Sequence, residues 1–400
     1  VDWWFAYKFD AEKFASDWHD RPPKCAFAGT LQKNPFSQAY AMAAAGQEAL
    51  ADGPGLIGTS DGDPLGATFG EIYNGKFHYI LWNDQFDPSP AIHGGATWAH
   101  AKGMVAWDDA GDGMVVQVTT PSWPGSASPK HPRTAMVGNT LGCIQKPNNV
   151  IYAQHFFALR LTHDDLLAVL DALKTASVVT DTSVTHSAPT NEDVPNFPEL
   201  FNNGGPDDVQ KAARLVGVAR SLTKTPTLVK LSSGVRLIAK PSAVYAPPWQ
   251  LVSSMLDNEP LRVASWWGDS PIPDTTAGQV FGCWPKDRAA PGAVSIVHAG
   301  YWDKVTFNLE EGPFGKPQAN DGNHAKIGIS GPTGHKLVVF GDMNQAGFLE
   351  PTGAQGCAHS QVSRGGLFFV LQSDKLWASL DQMFQHGPKG SIDPENAPKP

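Results

Sequence analysis

The side chains able to do chemistry in this 400-residue chain recur as one triplet, His100-Ala101-Lys102 and His324-Ala325-Lys326. An imidazole can attack phosphorus or protonate a leaving oxygen near neutral or mildly acidic pH. Two ammonium groups can neutralise a phosphodiester and the charge that develops as it is cut. A strand sets residues i and i+2 on one face, so each triplet is expected to present an imidazole beside an ammonium. Two such faces brought together would form a symmetric phosphodiester site requiring no metal and no cofactor.

A single His-x-Lys triplet is a common surface pattern, so what travels with it decides. Thr120 and Ser122 follow His100, and Asp342 and Asn344 follow His324, as short polar side chains two apart. Aligned with each other, Thr120 matches Asp342 and Ser122 matches Asn344. Such groups can bind phosphate oxygens or hold an imidazole in one tautomer. Asp342 is the one acid within these paired motifs, whereas a two-metal nuclease would need clustered carboxylates.

The repeat continues downstream. The run from His155 to Thr162, then Asp165 to Leu173, parallels the run from Leu367 to Ser373, then Lys375 to Met383. Each predicts a buried strand, a Thr or Ser cap and an amphipathic helix. Leu166, Leu170 and Leu173 share one helix face, as do Leu376, Leu380 and Met383. A weaker echo, Phe5-Ala6-Tyr7-Lys8 against Leu237-Ile238-Ala239-Lys240, falls in the same order.

Together these residues resemble the deoxyribonuclease II family, acid endonucleases of the phospholipase D superfamily. The resemblance runs through Val1-Asp2-Trp3-Trp4, Tyr7-Lys8, Leu65-Gly66 through Ile72-Tyr73, Asn83-Asp84-Gln85, the first triplet with Gly103, Pro121 to Pro124 and Gly138 to Leu141 with Cys143. It continues through the second triplet, Gly341 to Asn344 and Arg364-Gly365-Gly366. It implies two pseudo-symmetric phospholipase D-like halves with the active site between them. It also implies DNA as partner, double-stranded, cut to 3′-phosphate and 5′-hydroxyl ends at acid pH without divalent metal, and a homodimer. Catalysis falls to His100, Lys102, His324 and Lys326; Thr120, Ser122, Asp342 and Asn344 bind phosphate or orient the imidazoles. The chain departs from the superfamily's fuller motif, which has an aspartate after each triplet: the first slot falls at Trp107, beside Asp108. The absence of an Asn-x-Ser/Thr sequon fits a bacterial member.

Composition sets wider bounds. A content of 41% hydrophobic residues suffices for one large or two medium cores, and 40 Gly with 33 Pro imply long connections. No apolar run of about 18 residues marks a membrane span. Cys25, Cys143, Cys283 and Cys357 lack zinc-site spacing and leave both disulfides and buried thiols open. A chain starting at Val1 is expected to have lost a signal peptide, which places it outside the cell or in the periplasm. The net charge of −9 opposes DNA at neutral pH. Protons on all 13 histidines would carry it to +4; a local basic cleft on an acidic body is the other solution.

The expected fold is α/β, with mixed sheets covered by helices. The halves are placed at 1–185 and 210–400, joined by a linker at 186–209 that has little periodicity. Mobility is expected in that linker, in the Pro121 to Pro132 loop and in the Pro313 to Asn323 approach to His324. His131 lies in the first of these loops and is either a DNA phosphate contact or an exposed loop histidine. Most tryptophans, Trp3, Trp4 and Trp377 among them, read as core, while Trp98, Trp107 and Trp123 lie near the motifs. Tyr7 and Lys8 are expected to close the first sheet. Two other readings fit the triplets alone: a phospholipase D-like enzyme acting on a non-DNA phosphodiester, and a silent Trp-rich binding protein, which buried and separated triplets would favour.

Overall fold

The computed structural model describes residues 2–10, 13–14, 39–55, 57, 62–74, 77–84, 98–120, 152–180, 201–266, 272–279, 281–309, 322–350 and 361–385. Ser122, Trp123 and His131 lie outside them, as does most of each segment expected to be mobile.

The first sheet is built from β1 (Trp3–Lys8), β2 (Tyr40–Ala44), β3 (Gln47–Asp52), β4 (His78–Asn83), β5 (Lys102–Trp107), β6 (Gly113–Val118), β7 (Gln154–Leu161) and β8 (Phe201–Asn202). Its order is β3-β2-β1-β7-β6-β5-β4-β8. The second contains β9 (Thr227–Lys230), β10 (Arg236–Lys240), β11 (Leu261–Ser265), β12 (Val294–Ile296), β15 (Lys326–Ser330), β16 (Leu337–Gly341) and β17 (Gly366–Gln372). Its order is β12-β11-β15-β16-β17-β10-β9, and β13 (Ala299–Trp302) with β14 (Val305–Asn308) form a separate hairpin. Every pairing in the first sheet is antiparallel. The second is mixed through one parallel pairing, β11 with β12.

The central strands of the two sheets correspond. Lys8 pairs with Gln154 across β1 and β7, and Lys240 with Gly366 across β10 and β17. Gly103 faces Gln117 in one triplet hairpin and Ile327 faces Phe340 in the other. The Nζ of Lys8 is buried and donates to the carbonyls of Phe9 and Tyr152. That of Lys240 donates to four carbonyls, those of Pro241, Val244, Val362 and Arg364. Burial pushes both ammonium groups down to about 7. β1 is an internal strand between β2 and β7, so Tyr7 and Lys8 sit inside the first sheet rather than closing it.

The capped helices form as the sequence predicts. Thr162 caps α2 (His163–Ala176) in a capping box with Asp165, and Ser373 Oγ accepts from Leu376 N at the start of α5 (Asp374–Gln385). α1 is Pro64–Asn74, α3 Asp207–Ala213 and α4 Pro248–Met255. Leu166, Leu170, Leu173, Leu376, Leu380 and Met383 are all buried, and each such side chain contributes about 1.5–3 kcal/mol. α2 packs on β10 and β17 of the second sheet as well as on β6 and β7, and α5 reaches β3 of the first sheet. Phe5, Phe157, Phe340 and Phe369 join the sheets in one core; the rings of Phe157 and Phe340 stack at 4.3 Å.

The segment expected to be a linker contributes to the first sheet: Phe201 and Asn202 pair with Ile80 and Tyr79. Trp3, Trp4, Trp98, Trp107 and Trp377 are buried. Cys283 is disulfide-bonded. Among the described residues no helix is long and apolar enough to cross a membrane.

Candidate active site

Each triplet straddles the start of a strand. Lys102 opens β5 and Lys326 opens β15, while His100 and His324 lie just before the strands. The pairing of imidazole and ammonium therefore arises at a loop-to-strand junction rather than on a strand face. Gly103 lets β5 approach its neighbours, since a Cβ there would stand 2.4 Å from Val116 O and 2.5 Å from the Trp82 ring. Gly365 is as constrained, with Ala176 O 1.9 Å from where its Cβ would be, and its carbonyl accepts from His100 N at 2.9 Å. The equivalent bond in the other half joins His324 N to Ala153 O at 2.8 Å.

Each imidazole is held by the opposite half. His100 Nδ1 lies 2.7 Å from the Asp342 carbonyl, and His324 Nδ1 lies 2.8 Å from the Thr119 carbonyl. A carbonyl only accepts, so both Nδ1 atoms carry protons and both Nε2 atoms are left for a substrate. Gln154 Oε1 stands 3.2 Å from His324 Nδ1 and accepts from Thr119 Oγ1 at 2.8 Å. His100 and His324 are buried, with 7% and 5% of their surfaces exposed. Burial lowers both imidazole pKa values well below the usual range, and the Lys102 and Lys326 charges lower both further. His324 also feels His100, so the triplets form one electrostatic cluster. Each triplet is buried, and each imidazole reaches a carbonyl of the other motif.

Lys102 Nζ donates to Asp84 Oδ1 at 2.5 Å, and Arg364 Nη2 to Asp84 Oδ2 at 2.7 Å. Burial opposes the Asp84 charge, but Lys102, Arg364 and His100 outweigh it and hold the carboxyl well below its ordinary range. Arg364 also donates to the carbonyls of Trp98 and Ala99, fastening the second sheet to the approach of the first triplet. Lys326 Nζ donates to His324 O at 2.5 Å, and its backbone N–H to His155 Nδ1 at 3.2 Å. His155 is therefore the Nε2–H tautomer, kept neutral by burial and then by Lys326. Trp266 meets the His324 ring edge to face at 4.9 Å.

The structure corrects the register of the second motif. Val118 pairs with Phe156 and Gly341 with Phe368, so Thr119, not Thr120, corresponds to Asp342. Matching bonds follow: Thr119 N donates to His155 O and Asp342 N to Leu367 O. His155 N donates to Thr119 Oγ1 at 2.9 Å, and Leu367 N to Asp342 Oδ2 at 3.0 Å. Asp342 Oδ1 accepts from Gln117 at 2.9 Å, yet burial pushes its carboxyl up to about 8. Thr120 is buried and its Oγ1 has no partner; Asn344 Oδ1 has none either, though Asn344 N donates to Gln361. Asp84, Gln117, Thr119, Gln154 and Arg364 were absent from the expected site, and the motif blocks containing Asp84 and Arg364 were the signal available for those two.

Among the described residues no group of three or more His, Cys, Asp or Glu side chains is placed to hold a metal ion. No curated protein matches the sequence. A crystal structure of a mutant yeast tyrosyl-DNA phosphodiesterase aligns over 77% of this chain and 87% of its own, at 7% identity and a TM-score of 0.32. The family model for deoxyribonuclease II matches residues 1–230, which include the first triplet and end before the second. The chain belongs to the deoxyribonuclease II family of DNA-hydrolysing enzymes.

Proposed function

We propose that the enzyme cuts DNA without a divalent metal, at acid pH, through a phosphohistidine, leaving 3′-phosphate and 5′-hydroxyl ends. The observation that carries this reading is the reciprocal pair of bonds from His100 Nδ1 to Asp342 O and from His324 Nδ1 to Thr119 O. It supports a reading in which the two Nε2 atoms flank one phosphodiester, with Lys102 and Lys326 neutralising its charge.

In the first step His100 Nε2 forms a bond to phosphorus as the bond to the 5′ oxygen breaks, and that oxygen takes the proton from His324 Nε2. In the second, neutral His324 removes a proton from water, the water oxygen attacks phosphorus, and the P–N bond breaks to free the 3′-phosphate and His100. Thr120, Asn344 and Ser122 supply phosphate contacts in this reading, and His131 a DNA contact.

The environment of the imidazoles supports an acid optimum. Both imidazole pKa values are lowered, so placing a proton on one requires acidity, and activity is greatest between the two pKa values of the pair. At such pH the Asp342 carboxyl, with its pKa near 8, is neutral and does not repel phosphate. Duplex DNA is the substrate and a homodimer the assembly in this reading. A secreted or periplasmic location accords with the disulfide at Cys283.

The test is plasmid cleavage in excess chelator at pH 5 and pH 7.5, followed by end analysis. Cleavage at pH 5, with ends that ligate only after phosphatase and kinase treatment, is the expected result. Activity restored only by magnesium or zinc would overturn the proposal.

A further inference from the structure

The chain carries its charge unevenly. Between 209 and 256 there are seven of its 30 Lys and Arg residues and none of its 39 Asp and Glu residues. Lys240 is buried; Lys211, Arg214, Arg220, Lys224 and Lys230 are exposed and Arg236 half-buried. Their short-range field is positive on a body whose total charge is −9.

Part of this segment is tied directly to the catalytic loop. Ser177, the C-cap of α2, has left-handed backbone geometry, with φ 64°. Its carbonyl accepts from Ala99 N at 2.9 Å, and its Oγ from Ser221 N at 2.9 Å. Ala99 precedes His100. One residue thus holds both the approach to the first triplet and the loop Arg220-Ser221-Leu222-Thr223-Lys224. Within the loop, Thr223 N donates to Ser221 Oγ and Thr225 N to Thr223 Oγ1, which orders the turn. Neither Arg220 nor Lys224 has an ion-pair partner among the described residues. Between them Leu222 is 81% exposed, with Leu215 and Val218 also exposed nearby.

We infer that the loop from Arg220 to Lys224 is a duplex-DNA contact beside the cleavage site: Arg220 and Lys224 bind backbone phosphates and Leu222 enters the groove between them. This deepens the nuclease reading and rests on it. A duplex with one phosphate between His100 and His324 extends past the neighbouring loops. Four residues reach at most about 14 Å, which matches a groove width of about 6–12 Å. Apolar side chains carried between phosphate-binding cations are a recurring minor-groove device. A second copy using the same patch would set cations against cations, with no acid in the segment to relieve them.

The experiment measures plasmid cleavage at the wild-type pH optimum across salt concentrations, for wild type and Arg220→Gln/Lys224→Gln. The control is Lys375→Gln, which follows the far end of β17, about 20 Å from the end that meets the site. The double variant should raise KM about 5–10-fold at 0.15 M salt, hold kcat within about twofold, and make the slope of log affinity against log salt shallower by about 2; the control should match wild type. Unchanged KM and slope, or a fall in kcat at constant KM, would overturn the inference. So would Leu222→Glu halving the mass by light scattering with KM unaltered, which would make the loop a subunit interface. A wild-type protein that cuts no DNA would instead defeat the underlying nuclease reading.

Discussion

Thr119 and Asp342 hold equivalent places at the ends of β6 and β16, and each lends its backbone carbonyl to the triplet imidazole of the other sheet. The acceptor is main chain, so tautomer control survives the change from a hydroxyl to a carboxyl between the two positions. The side chains are then free to differ: Thr119 bonds Gln154, while Asp342 bonds Gln117.

That equivalence leaves the two imidazoles alike in geometry, so the roles proposed for them must be separated by experiment. His100→Ala and His324→Ala should each lower kcat by roughly 10²–10⁴-fold. Rapid-quench trapping with labelled DNA should retain covalent label in His324→Ala and none in His100→Ala. The opposite pattern would exchange nucleophile and acid.

The pH profile should respond to the lysines with a definite sign. Lys326 lowers the pKa of His324, so Lys326→Met should raise it and let residual activity persist to higher pH, at much reduced kcat. A pH–rate profile of kcat/KM that keeps its position, or moves to lower pH, would contradict this coupling.

Asp342 links the site to stability. Its folded pKa of about 8 lies above the unfolded value near 3.8, so its contribution is fully present below about pH 4 and is lost as pH rises towards 8. Asp342→Asn removes that loss. Relative to wild type, the variant's urea midpoint should rise between pH 5 and pH 8. An offset that stays constant across this range would show that the carboxyl does not titrate there.

The corrected register separates two neighbouring threonines. Thr119→Val strips His155 N of its acceptor and should cost about 1–3 kcal/mol in denaturant unfolding. Thr120→Val removes an oxygen without a partner and should change stability by less than about 0.5 kcal/mol while raising KM for DNA. Unaltered KM in Thr120→Val would take that hydroxyl out of the phosphate site.

Much of this architecture was legible because the sequence repeats its motifs in order. The paired triplets, the Thr162 and Ser373 caps, and Lys8 with Lys240 each supply a registration mark that chance would not repeat in order. The second motif slipped by one because the first triplet hairpin is longer by one residue. Gly103 faces Gln117, fourteen positions on, where Ile327 faces Phe340 after thirteen. Side-chain polarity could not reveal the slip, since the bonds that fix each imidazole end on carbonyls. Asp84, present in a family block, was given no site role for a related reason: its partners are Lys102, eighteen positions away, and Arg364, 280 away. Only the folded sheets bring those charges together. The antiparallel pairing of the first sheet was hidden too, because strands buried on both faces do not alternate.

The exchange of carbonyls between the two sheets bears on the order in which the site assembles. A ribosome completes the first sheet while the second is still unmade, so the emerging chain holds His100 without the Asp342 carbonyl that bonds its Nδ1. The crossing bonds at His100 and His324 form only when the last long-range pairings close, which by then include β17 and the helix after it.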